Sequence, residues 1–68
     1  MRLETIRDPR SLLMGFIATE EHGNGVAHDA HMKVLGTYSV ERNFTYDSRG
    51  CPFARGNRLL ALVHRSAD

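Results

Sequence analysis

Sixty-eight residues, 41% hydrophobic and 25% charged, describe one small globular domain at most. That length excludes a Rossmann domain, a barrel or any large catalytic core, and the longest apolar run, 12–18, falls far short of the roughly 20 residues a membrane span needs. Nine basic against eight acidic side chains give a net charge of +1 and a pI near 8.0, below the pI of about 9 expected of a dedicated nucleic-acid domain.

In chain order, strands are predicted over 3–7, 12–18, 26–28, 34–40, 44–46 and 52–55. Asp8-Pro9 opens the first turn: the aspartate accepts bonds from backbone amides just ahead of it, and the proline fixes φ for a type I geometry. In the second strand Leu12, Met14 and Phe16 alternate onto one face, with Leu13 and Ile17 on the other and Gly15 between them. An arm apolar on both faces asks for cover on both. His22-Gly23-Asn24-Gly25 and Glu41-Arg42-Asn43 are turn clusters, and Gly15 and Gly36 inside strands predict a bulge, a bend or a close backbone approach. Past Gly56 the period changes. Asn57 is placed to cap a helix over about 57–66 whose Leu59, Leu60, Leu62 and Val63 share a face, with Arg65 suiting the negative end of the dipole. The predicted fold is mainly β (α+β): antiparallel hairpin repeats over about 1–56 in a small curved sheet, then an amphipathic helix, all in one domain.

The hairpins form a degenerate repeat. Three segments align on Asp8, Asp29 and Asp47, at spacings of 21 and 18 residues. Seven residues after each aspartate comes a small residue, Gly15, Gly36 or Ala54, preceded by the pairs Leu13-Met14, Val34-Leu35 and Pro52-Phe53. The same turn chemistry makes these aspartates turn formers rather than catalytic acids.

Few side chains offer chemistry. His22, His28, His31 and Cys51 are zinc-type donors, but their spacing is not that of a zinc motif, so neither a metal nor a cofactor is expected. Cys51 is the only cysteine, which excludes an internal disulfide and points to a cytoplasmic protein. With no helix N-terminus or base beside it, its thiol is expected to be buried or half-buried and structural. Asp47-Ser48-Arg49-Gly50 matches the DxxG of GTP-binding proteins without the glycine-rich phosphate loop that gives that motif meaning. The chain therefore reads as no enzyme. Arg42, Arg49, Arg55, Arg58 and Arg65 accompany Tyr38, Phe44, Tyr46 and Phe53 in the C-terminal half. Arginines beside aromatics on a sheet are the means of stacking single-stranded bases; the low net charge weighs against that use.

The runs Val34-Leu35-Gly36-Thr37-Tyr38, Phe44-Thr45-Tyr46-Asp47-Ser48-Arg49-Gly50 and Ala54-Arg55-Gly56-Asn57-Arg58-Leu59-Leu60-Ala61-Leu62 resemble small bacterial proteins of the beta-flower type. The resemblance covers about the last two-thirds of the chain and implies a compact β-repeat fold with no activity attached. The chain departs from that pattern at Pro52 and across the loop 20–25, both expected to interrupt the sheet.

Below about 70–80 residues one core seldom yields more than ~3–5 kcal/mol, so support from outside the chain is expected. The predicted partner is the chain itself, in a dimer or higher oligomer, with Leu59, Leu60, Leu62 and Val63 or an edge strand at the interface and Tyr38 and Tyr46 as further contacts. The function expected is a non-catalytic protein–protein interaction module: a small regulator or inhibitor of the kind phages and plasmids carry, anti-CRISPR-like in mode, with a protein partner and no membrane. Nucleic-acid binding through the five arginines is the alternative, and a zinc-stabilised domain the second alternative.

Overall fold

The computed structural model describes residues 1–67. Six strands, β1 (Arg2–Arg7), β2 (Leu13–Thr19), β3 (Gly25–Asp29), β4 (Val34–Ser39), β5 (Phe44–Asp47) and β6 (Pro52–Arg55), precede one helix, α1 (Leu59–Ala67). The strands form one open antiparallel sheet in the order β1-β2-β3-β4-β5-β6. Every link between strands is short, so each strand lies beside its neighbour in sequence and no crossover is needed. This is the mainly-β architecture with a C-terminal helix that the sequence predicts. The helix is too short to cross a membrane.

The three aspartate turns are copies of one geometry. The amides of Arg10 and Leu12 donate to Asp8 Oδ1, those of His31 and Lys33 to Asp29 Oδ1, and those of Arg49 and Cys51 to Asp47 Oδ1, all at 2.8–3.0 Å. In each, the residue three after the aspartate donates its own amide to the aspartate carbonyl and takes a left-handed φ: Ser11 at 67°, Met32 at 67° and Gly50 at 83°. This is a type I turn closed by a left-handed residue, the three-residue hairpin loop. The loop 20–25, expected to interrupt the sheet, is a turn of the same type. Gly23 donates to the Glu20 carbonyl, Glu20 donates to the Asn24 carbonyl, and Gly23 has φ 100°. Pro52 is also accommodated, because β6 is an edge strand, where a missing N–H breaks little.

Each repeat also carries a bulge in its second strand. The register slips between Ile6 and Arg7, between Ala27 and His28, and between Thr45 and Tyr46, leaving Met14, Leu35 and Phe53 as the extra residues opposite. The bulge upsets simple alternation. Met14, Leu35 and Phe53 join the core beside Ile17 and Tyr38, while Phe16 belongs to the other face. The predicted sharing of one face by Leu12, Met14 and Phe16 is thereby corrected.

Helix α1 covers one face of the sheet, over β2, β3 and β4. Its Leu59, Leu62 and Val63 are buried with Ile6 and Ala27 to make the core. A Cβ on Gly15 would run into the His28 carbonyl oxygen and Val63, and one on Gly36 into the Tyr46 carbonyl oxygen and Leu62. The glycines of the repeat are thus the floor on which the helix lies. In the third copy the position is Ala54 on β6, outside the helix footprint.

Helix entry is fixed by Thr45 on β5, which is fully buried. Its Oγ1 donates to the Gly56 carbonyl at 2.6 Å and accepts from the Arg58 amide at 2.8 Å. Asn57 Oδ1 accepts from the Leu59 amide at 3.2 Å, as its capping role requires.

Candidate functional site

Among the described residues, no element lies over the face opposite the helix. Register places three rows of side chains there. Leu3, Ala18, Val26, Thr37, Tyr46 and Pro52 form the longest. Thr5, Phe16, His28 and Val34 form the second, and Ser39, Phe44 and Arg55 the third. Leu3 is 58% exposed and Val34 43%.

The strand carboxylates are confined to one face. The strand carboxylates Glu4, Asp29 and Asp47 lie opposite Ile17, Gly15 and Gly36, on the helix side. On the open side the strands carry Arg7, His28 and Arg55 and no carboxylate. Arg7 is engaged locally, its Nη1 donating to the Ser11 carbonyl at 2.9 Å.

The open face divides further. Toward β1–β4 it is apolar, through Leu3, Phe16, Ala18, Val26 and Val34. Toward β5–β6 it is aromatic and basic. The Phe44 and Tyr46 rings stand 5.9 Å apart at a tilt of 44°, and Arg55 pairs across from Phe44. The neighbouring Tyr46 is the main cause holding the Arg42 guanidinium above its ordinary pKa. Beside Tyr46, toward β3 and β4, a concavity of about 380 Å³ opens, lined by Glu20, Val26, Thr37, Ser39, Arg42 and Tyr46.

The predicted site residues are scattered by this arrangement. Leu59, Leu62 and Val63 face the chain's own sheet, and only Leu60, 48% exposed, looks outward. The helical stripe is therefore core rather than an external contact: 59, 62 and 63 follow the i, i+3, i+4 spacing of one face, and Leu60 sits about 100° away from Leu59. Tyr38 and Tyr46 lie on opposite faces. Tyr38 packs against the core and its hydroxyl donates to Asn43 Oδ1 at 2.8 Å. Of the five arginines only Arg42 and Arg55 reach the open face. Arg65 lies over the Phe53 ring at 5.5 Å on the helix side, Arg49 is in the β5–β6 turn, and Arg58 begins the helix.

Cys51 is exposed, not buried as its neighbours suggested: it is the closing residue of a hairpin turn, and its amide is spent on Asp47. His22 stands in the loop between β2 and β3, while His31 and Cys51 stand in turns at the far end of the sheet. His28 Nδ1 lies 3.3 Å from the Met32 carbonyl oxygen. Among the described residues no three His, Cys, Asp or Glu side chains converge as a metal site would need. The Asp29 and Asp47 carboxyls are held below the usual aspartate range, chiefly by the amides of Lys33 and Cys51 respectively. Thr45 belongs to the run Phe44–Gly50 that carries the beta-flower resemblance, but the sequence assigns it no role. Its one signal is a hydroxyl in a strand position that alternation turns inward.

Comparison with protein-family models, with curated proteins and with solved structures finds no match.

Proposed function

We propose that the chain is a non-catalytic protein–protein interaction module working as a homo-oligomer, through the apolar half of its open sheet face. The observation that carries this is the surface left uncovered. The chain exposes 4903 Å², whereas a compact monomer of 7.7 kDa exposes about 4300 Å². The excess, about 600 Å², approaches the ~800 Å² each partner contributes to a standard interface. A second copy suits the surface because two twisted sheets pack face to face with their apolar side chains interdigitated. Leu3, Phe16, Ala18, Val26 and Val34 would form that contact. A module of this kind acts as a regulator or inhibitor by occupying a surface rather than by chemistry, and its one free thiol suits the cytoplasm.

Light scattering on the purified chain tests the reading. The expected result is a mass of at least twice the chain mass at tens of micromolar, falling on dilution. Phe16→Arg, which places a charge in the contact, should give the single-chain mass with an unchanged circular dichroism spectrum. A single-chain mass for the natural sequence at that concentration would refute the proposal.

A further inference from the structure

The β5–β6 corner of the open face differs in chemistry from the apolar half and does not depend on self-association. We infer that this corner binds single-stranded nucleic acid, with Tyr46 and Phe44 as stacking surfaces and Arg42 and Arg55 as phosphate contacts. Ring placement, flanking cations and a neighbouring concavity converge on it. Phe44 and Tyr46 are two residues apart on one strand, so both rings stand on the same face, 5.9 Å between centroids. Bases splayed out of a stack can each lie on one such ring, whatever their sequence. Arg42 lines the same concavity as Tyr46 and Arg55 lies across from Phe44, so cations border both rings. A guanidinium presents five N–H donors in a planar fork that matches a phosphate.

Charge complementarity names the occupant. The strands present no carboxylate on this face; Glu41 stands in a flanking loop, and Glu20 is the one carboxylate that lines the concavity. The concavity of about 380 Å³ beside Tyr46 and Arg42 is bordered by Thr37 and Ser39, whose hydroxyls donate or accept as a sugar or base edge requires. An aliphatic partner would gain nothing from the guanidinium groups, and a duplex would hide its base faces from the rings. A flexible strand of planar bases on a polyanionic backbone uses both.

The chain holds two tyrosines and no tryptophan, so Tyr38→Phe leaves Tyr46 as the only strong intrinsic fluorophore. Titration of this variant with oligo(dT) or oligo(rU) of about ten nucleotides, a length within the range one such site covers, reads stacking directly. Saturable quenching is the expected result. Raising salt from about 50 to about 200 mM should weaken binding about sevenfold if two phosphates are contacted. R42Q/R55Q in the same background should weaken it by roughly tenfold or more, with the thermal melt unchanged because both side chains are solvent-exposed. Absence of quenching at the lower salt overturns the inference. So does undiminished binding by R42Q/R55Q, and so does displacement of the oligonucleotide by polyglutamate at equal charge, which would mark an acidic polypeptide as the occupant. Phe16→Arg should leave this binding intact, so its failure and that of self-association are read separately.

Discussion

Thr45 joins sheet to helix with one hydroxyl, and no apolar side chain of its shape can replace it. Thr45→Val keeps the volume but leaves the Gly56 carbonyl and the Arg58 amide without their partner. It should cost about 1–3 kcal/mol, read as a fall in denaturation midpoint, while Thr45→Ser retains most of the stability. The left-handed positions divide in the opposite sense. Met32 holds φ 67° with a side chain that disfavours it, and Gly50 holds φ 83° at no such cost. Met32→Gly should therefore raise stability by about 0.5–1 kcal/mol and Gly50→Ala lower it by about 1 kcal/mol, both measured by denaturant titration. Asp29 and Asp47 set the acid limit. Their folded pKa values lie below the unfolded value of about 3.9, so the stability they supply is complete above about pH 4. It is lost as pH falls through the folded values. A melting-temperature profile should be level near neutrality and descend below about pH 4, and descend less in Asp29→Asn/Asp47→Asn.

The hairpin is the unit in which sequence and structure correspond most closely. Asp8, Asp29 and Asp47 bind amides two and four residues ahead, a local act that needs no distant partner. That is why the turns and the three-fold repeat are legible in the chain. The bulges at Met14, Leu35 and Phe53 are not, because a register slip is a property of two strands together. The pairs preceding Gly15, Gly36 and Ala54 mark where the slips occur without saying which member turns inward. Gly36 has a tertiary cause: the helix and a neighbouring carbonyl occupy the place of a Cβ. Gly36→Ala should cost about 1–3 kcal/mol by overpacking, while Ala54→Gly, away from the helix, should lower the denaturation midpoint much less.

At the scale of the whole molecule a nine-residue helix covers β2, β3 and β4 on one face of a six-stranded sheet, and among the described residues no element covers the other face. The proposed oligomer surface consequently moves from the helix to the sheet, and the two sites separate by mutation. Leu60→Lys, at the one outward leucine of the helix, should leave the mass by light scattering unchanged, whereas Phe16→Arg should reduce it. The amino-acid sequence by itself determined the turns, the strand positions, the hairpin units and the existence of the helix. Those follow from local amide capture, side-chain period and short connections, all encoded within a few residues. Only the tertiary structure decided which way α1 faces, that Thr45 receives it, and that Arg42 and Arg55 part company with Arg49, Arg58 and Arg65. Each of these depends on which face of the sheet the helix closes, and that choice is made by glycines and bulges on separate strands acting at once.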